Sequence, residues 1–487
     1  MLIQQIQKNV DLNLNKIPEK TKSQDFFTKI NSLDVTLLNH FKTVLELNDE
    51  LDRRLVSFQA NKIEPFYRWY KYKEAFSSRL VKYLLREHKV PKGRILDPFA
   101  GIGTTLFASS ALGYDTEGIE LLPIGIKIIE SRADAVKKAT KKHISRLVFW
   151  RDNHPWQRST AYETLNYLRI TKNAYSKATE ISIGKYLSEI KNESEIVREI
   201  LLTALLCILE SISFTRKDGQ YLRWDYRSGR RKGKNNFDKG KVYSFKEAIT
   251  LKLEEIIKDI EGNEQQLSLF EDKKIIHGDT KLYSGSCLNI LPKISRDKYA
   301  AIITSPPYCN RYDYTRTYAL ELALLGSKED ELARLRQEML SCTVENRVKE
   351  LLNINKDWWK AIESCESNEL LQMILSFLEY KKELKELNNN GIPRMVKGYF
   401  YEMACVIQEC YRVLNKNGLF FMVNDNVRYA GVSISVDLIL SKIAEDAGFV
   451  VEKILVLPNG KGNSSQQMGA HGREQLRKCV YIWRKND

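Results

Sequence analysis

Two kinds of patterning alternate along the chain. Three tracts carry short apolar runs of strand length followed by amphipathic stretches, and between them lie long tracts whose apolar residues recur at helical spacing. The first α/β tract turns at Val90-Pro91-Lys92-Gly93-Arg94 into Ile95-Leu96-Asp97, a short buried strand. A helix over 106–112, stopped by Gly113, and a second strand over 114–119 ending at Glu120 follow. The second tract centres on the apolar run 299–303, which reads as a buried parallel strand. The third predicts a helix over 401–414, a turn at Asn417-Gly418, a buried strand over 419–423 and a helix over 435–447. Paired closing strands over 448–457 and 479–483 come last, with a glycine- and serine-rich loop over 459–472 between them.

The helical tracts divide the rest. Residues 1–60 read as a helical N-terminal extension, with Leu37-Leu38 followed by Phe41, Val44 and Leu45. Residues 121–274, with long helical patterns such as 196–211, read as an inserted domain, and 327–395 as a second helical insertion. The α/β core is then 61–120, 275–326 and 396–487.

Composition narrows the class. A chain of 487 residues with 43% hydrophobic content has room for a sizeable core and two or three domains. No apolar run has the length needed to cross a bilayer, and the first twenty residues lack a signal peptide's apolar segment, so the expected setting is cytoplasmic, without a membrane partner. The eight cysteines are scattered, with no C-x-x-C pair and no neighbouring His-x-x-x-His; reduced, buried thiols are expected and no metal site. A net charge of +15 points to a polyanion: DNA, RNA or an anionic membrane surface. Much of the excess sits in 214–241, where ten Lys/Arg against three Asp give a net +7. There Arg216, Arg223, Arg227, Arg230, Arg231 and Lys232 interleave with aromatics and glycines. Such a run is commonly a solvated loop; in a protein that grips DNA it becomes an interface.

Two stretches carry chemistry. Asp97-Pro98-Phe99-Ala100-Gly101-Ile102-Gly103-Thr104-Thr105 is a strand-to-helix turn in which Gly101 and Gly103 remove side chains where a ligand approaches the backbone. Glu120, about 20 residues on, is placed to grip ribose hydroxyls. Leu106 occupies the third glycine position of a dinucleotide fingerprint, which disfavours NAD or FAD. An acid before F-A-G-x-G instead suits the amino group of S-adenosylmethionine. The aromatic cluster at 64–78 is either packing or a wall of that pocket. The other stretch, Thr304-Ser305-Pro306-Pro307-Tyr308, ends the strand over 299–303 at the sheet edge where ligands sit. An exocyclic amine of a base is a poor nucleophile until acceptors take its N–H groups. Ser305 Oγ and the Pro306 carbonyl are such acceptors, and Tyr308 offers a stacking face.

Together the two stretches resemble the amino-group DNA methyltransferases, the S-adenosylmethionine-dependent enzymes that modify N4 of cytosine or N6 of adenine. The resemblance covers roughly 64–120, 281–325 and 396–487. It implies an α/β fold, the Rossmann-like methyltransferase fold, a mixed seven-stranded sheet with helices on both faces. By the same resemblance Asp97, Pro98, Phe99, Ala100, Gly101, Gly103 and Thr104 form the cofactor loop, Phe76 and Ser77 the pocket segment before it, and Glu120 the ribose-binding acid. Ser305, Pro306, Pro307 and Tyr308 form the catalytic tetrapeptide. The partner implied is double-stranded DNA with its target base flipped out, in a restriction-modification setting with a cognate endonuclease encoded nearby. S-P-P-Y is associated more with cytosine than with adenine. One position departs from the family: where an acid normally contacts the cofactor's adenine, this chain has Gly285-Ser286-Cys287-Leu288, leaving Ser286 or Asp279 for the contact. The motif order favours 121–274 as the DNA-reading part, with 327–395 as competitor. An RNA or small-molecule methyltransferase, or a DNA-binding protein on a vestigial fold, are the rival readings.

Overall fold

The computed structural model describes residues 22–73, 75–218, 221–230, 237–269, 277–458 and 476–486. Its strands are, in chain order, β1 (Leu45–Leu47), β2 (Arg94–Asp97), β3 (Asp115–Glu120), β4 (Thr215–Asp218), β5 (Tyr221–Trp224), β6 (Thr280–Ser284), β7 (Tyr299–Thr304), β8 (Leu414–Asp425), β9 (Val427–Tyr429), β10 (Val432–Ile434), β11 (Phe449–Val456) and β12 (Lys478–Lys485). One sheet runs in the order β1-β11-β12-β8-β7-β2-β3-β6. β12 is antiparallel to both its neighbours and every other adjacent pair is parallel.

This sheet has eight strands rather than the seven expected. The extra one, β1, comes from the N-terminal extension, which is therefore not purely helical: after the helix Lys22–His40 the chain pairs Leu45 with Ile454 and Leu47 with Val456 at the sheet edge. Three residues are too few to show a period of two, so the helical pattern before them dominates the reading.

Side chains alternate between two cores, as the pleat requires. Leu96, Ile302, Phe420, Met422, Tyr481 and Trp483 face one side, against the helices Ile392–Val413 and Val436–Asp446. Ile95, Ala301, Ile303, Phe421, Val480 and Ile482 face the other, where the helix Ser78–Glu87 packs through Leu80, Val81, Leu84 and Leu85. All six residues of β7 are buried, because the strand lies between β8 and β2 and is covered on both faces. Its continuous apolar run follows from that position.

The α/β alternation extends one helix further than expected, since Pro123–Lys138 directly follows β3. The helices Lys141–Asn153, Lys177–Ile190, Glu195–Ile212 and Phe245–Leu269 then build a separate helical core. That core is completed by Trp69, Tyr70 and Tyr72 and by residues between Tyr312 and Cys342. Residues 327–395 therefore divide between two cores: Leu332, Leu335 and Met339 pack on the inserted helices, whereas Leu351, Trp358, Leu371 and Phe377 pack beneath the sheet.

The basic segment 214–241 contains a hairpin, β4 paired antiparallel with β5. Its period of two is disguised, because the inward position Lys217 is a buried lysine, paired with Glu321 and bonded to the Tyr70 hydroxyl at 3.2 Å. Arg231, Lys232 and the loop 459–472 lie outside the described residues. Among the described residues no helix is long and apolar enough to cross a membrane. The cysteines are free thiols, all buried except the half-buried Cys207.

Candidate active site

The register of β2 against β7, with Ile95 opposite Ala301 and Leu96 opposite Ile302, carries the two motif stretches to the same sheet edge. They are bonded there: the Thr304 hydroxyl donates to Asp97 Oδ1 at 2.6 Å, and Thr105 Oγ1 donates to the Ile303 carbonyl at 3.2 Å. Between β2 and the helix Thr104–Ser110 the chain turns through Gly101 (φ 56°) and Gly103 (φ 77°), left-handed positions where a side chain would be strained. Glu120 closes the turn from the end of β3. Its carboxylate accepts the Gly101 N–H at 2.7 Å and the Leu122 N–H at 2.7 Å.

One cavity joins these parts. Of the residues singled out from sequence, Phe76, Asp97 to Gly101, Thr104 and Glu120 line it together with Ser305 and Pro307. Three do not. Gly103 is the N-cap of the helix that follows, Pro306 is buried outside the lining, and Ser77 caps Ser78–Glu87, accepting the Leu80 N–H at 3.1 Å. Tyr308 faces a second cleft instead. Its ring is 4% exposed, and its hydroxyl accepts a hydrogen bond from Ser305 Oγ at 3.0 Å. The tetrapeptide thus divides two cavities, whose shared lining is Tyr72 and Ala75.

Several lining residues carried no signal of their own. Tyr72, stacked on Tyr318 at 4.8 Å, belongs to the aromatic cluster, and only this member, Ala75 and Phe76 reach the cavity. Tyr314 comes from the loop after the tetrapeptide. Glu338, Met339 and Leu340 come from the end of the helix Glu329–Glu338, whose Arg336 is paired with Asp313 at 3.1 Å. Ser286 also lines the cavity and donates to the Glu338 carbonyl at 2.9 Å. That bond leaves the oxygen's lone pairs for an incoming amine. Asp279 lies at the opposite end of β6, nearly fully exposed beside Lys137, so it does not stand in for the missing acid.

Burial pushes the Asp97 carboxyl up to about 6, against hydrogen bonds from Thr304, Thr105 and the Phe99 N–H. It pushes Glu120 up to about 7, with the backbone N–H groups of Leu122 and Gly101 pulling down and the Asp97 charge adding to the rise. Thr104 Oγ1, which faces the same cavity, is buried without a hydrogen-bond partner. Two desolvated carboxylates and an orphaned hydroxyl fit a cationic ligand rich in donors. Gly125 guards this arrangement from behind: a Cβ there would stand 2.4 Å from the Gly101 carbonyl and 2.8 Å from Glu120 Cγ. Gly125→Ala, which changes no polar group, is expected to cost about 1–3 kcal/mol of stability in thermal unfolding by overpacking. Unchanged stability would show that the turn yields freely.

The hairpin sorts its cations. Arg216 and Arg223 are register partners exposed on the outer face. Arg227 holds Asp225 through two bonds of 2.6 and 2.9 Å, and Arg230 lies 4.0 Å over Trp224 while donating to the Arg169 carbonyl. The last two shape the segment.

A glycine-turn cavity that shares its wall with S-P-P-Y defines the amino-group DNA methyltransferases, and the comparisons agree. A family model described as DNA methylase, covering N6 and N4 enzymes, matches residues 5–138. Type II methyltransferase M.AvaI of Nostoc sp. and that of Anabaena variabilis are each 53% identical over 486 residues, 99% of both chains. Type II methyltransferase M.BsoBI of Geobacillus stearothermophilus is 40% identical over 469 residues, 91% of this chain and 90% of its own. No solved structure matches. The chain belongs to this family, as a type II DNA methyltransferase.

Proposed function

We propose that the protein moves a methyl group from S-adenosylmethionine to the N4 amine of a cytosine flipped out of duplex DNA, on a Rossmann-like methyltransferase fold. The observation that carries this is the single cavity lined by Asp97, Gly101 and Glu120 on one side and by Ser305 and Pro307 on the other. S-adenosylmethionine supplies an electrophilic methyl. Glu120 would accept from its ribose hydroxyls, Asp97 and Thr104 would hold the amino-acid end, and Leu121, Leu122 and Ser286 lie where its adenine would be enclosed. Ser305 Oγ and the Pro306 carbonyl take the N–H groups of the target amine, freeing its lone pair, and Tyr308 packs against the ring. No residue must become covalently bound; positioning lowers the barrier.

Cytosine is preferred to adenine on the S-P-P-Y resemblance. Tyr314 lines the cavity and packs on Tyr312 at 4.7 Å, which makes it a wall residue to vary when the base preference is tested. Mass spectrometry of nucleosides from DNA methylated by the purified protein decides it. N4-methylcytosine is expected, and N6-methyladenine alone would replace the base while leaving the mechanism. RNA substrates are expected to be poor beside duplex DNA. A cognate endonuclease and a cytoplasmic setting belong to the same proposal; the relatives' type II names support the first.

In this reading the hairpin binds DNA phosphates. Arg216→Ala with Arg223→Ala is expected to flatten the slope of log affinity against log salt by roughly 0.9 for each phosphate left without its cation. An unaltered slope would move the DNA off the hairpin.

A further inference from the structure

The cleft on the far side of the tetrapeptide differs in chemistry from the cofactor cavity. Among the described residues its lining carries six cationic side chains to one acid, Asp425. Three of the cations are committed: Arg477 to the buried Asp437 at 2.6 Å, Lys478 to Asp425 at 3.3 Å, its ammonium 5.5 Å from the Tyr308 ring centre, and Lys73 to the Lys217 carbonyl. Arg53, Lys62 and Lys71 are exposed, and none pairs with a carboxylate among the described residues. Charge left unneutralised in a concave surface raises the local concentration of anions.

This wall is held firmly. Asn61, fully buried, donates to the Phe76 carbonyl at 3.1 Å and accepts the Ser78 N–H at 2.9 Å. The Leu55 carbonyl accepts from both the N–H and the hydroxyl of Ser77, at 3.3 and 2.5 Å. The stretch that carries Arg53 and Lys62 is thereby bolted to the segment whose Phe76 walls the cofactor cavity. The backbone that carries these cations is thereby fixed beside the cofactor cavity.

We propose that this cleft binds the sugar-phosphate backbone of the DNA strand that surrenders its base, with Arg53, Lys62 and Lys71 on the phosphates flanking the extruded nucleotide. The inference rests on the DNA reading above and adds a second basic surface to the hairpin. A flipped base stays tethered to its two phosphates, so a protein that holds the base at Ser305 must accommodate those phosphates nearby. The polar cleft bordering Tyr308 meets that need, whereas the cofactor cavity, closed by apolar and acidic side chains, does not. Backbone binding of this kind fixes register and orientation without reading sequence.

The test compares Arg53→Ala/Lys62→Ala/Lys71→Ala with wild type on a duplex fragment that the wild type methylates. The salt slope is expected to fall by roughly 2–3, at roughly 0.9 per phosphate neutralised, and KM for DNA to rise at least about tenfold. S-adenosylmethionine affinity is expected to stay within about twofold. A 2-aminopurine placed next to the target cytosine is expected to fluoresce less in the variant's complex than in the wild type's, because the flipped state that unstacks it loses its backbone clamp. Lys62→Arg/Lys71→Arg is expected to keep the wild-type slope, which a folding defect at these positions would not allow. A triple variant with wild-type KM and slope overturns the cleft assignment alone. A wild type that methylates RNA and leaves DNA untouched overturns the reading beneath it, and the cleft with it.

Discussion

Tyr308→Ala is expected to lower kcat/KM for DNA methylation by roughly ten- to a hundredfold, and Ser305→Ala to lower kcat by about a hundredfold, with cofactor affinity within about twofold in both. The first figure follows from stacking, worth roughly 1–3 kcal/mol per base when an aromatic ring is removed. The second follows from position: an acceptor displaced from the target amine costs about two orders of magnitude even when nothing else moves. Ser305 donates its proton to the Tyr308 hydroxyl at 3.0 Å, so its lone pairs, not its proton, are presented to the substrate. Tyr308→Phe separates the contributions, because it keeps the ring and removes the group that orients Ser305. Its kcat is expected to drop while KM for DNA holds. If cofactor affinity falls in step with rate in Ser305→Ala or Tyr308→Ala, the tetrapeptide is a wall of the cofactor cavity and has no separate part in the reaction.

Parts of the chain that were readable share a property: their signals are local. β2, β3 and β7 are neighbouring parallel strands; β7, covered on both faces, is a continuous apolar run, and the glycine turn after β2 needs residue types that few other structures require. Asp97, Glu120 and Ser305 end such strands and arrive together because those strands are neighbours. What could not be read depends on distant partners. β4 hides its period because Lys217 turns inward to Glu321, a partner more than a hundred residues away. Glu338 to Leu340 reach the cavity from a helix held by bridges such as Arg336–Asp313 and Ser286 to the Glu338 carbonyl, and no spacing near either motif announces them. Tyr308 was expected to offer an open face; it is nearly buried between two cavities, a position set by β8 and β12 folding back beside it. The start of the second insertion joins the inserted helices and most of the rest joins the sheet, because a helical pattern does not say to which core it belongs.

Affinity for S-adenosylmethionine is expected to rise with pH between about 5.5 and 8, by up to about tenfold per unit near neutrality. In the free protein burial holds Asp97 at about 6 and Glu120 at about 7, from ordinary values of 3.8 and 4.5. A ligand that brings a positive charge and hydroxyl donors favours the ionised forms, so binding lowers both values and releases protons; wherever the free protein holds more protons than the complex, raising the pH strengthens binding. Stability of the ligand-free protein moves in the opposite direction. Folding raises both carboxyls, so the folded chain keeps protons that the unfolded chain has already lost. The stability these two groups contribute is complete below their ordinary range and is lost as pH rises through about 6 and then about 7. Calorimetric titrations in two buffers of different ionisation enthalpy measure the protons released, and thermal unfolding of the free protein measures the second trend. Glu120→Gln is expected to bind weakly and to lose the upper part of the pH dependence, while Asp97→Asn loses the lower part. An affinity that is flat across this range, with no proton release, would place the cationic ligand away from both carboxylates, since no group that close to a bound cation keeps a raised pKa.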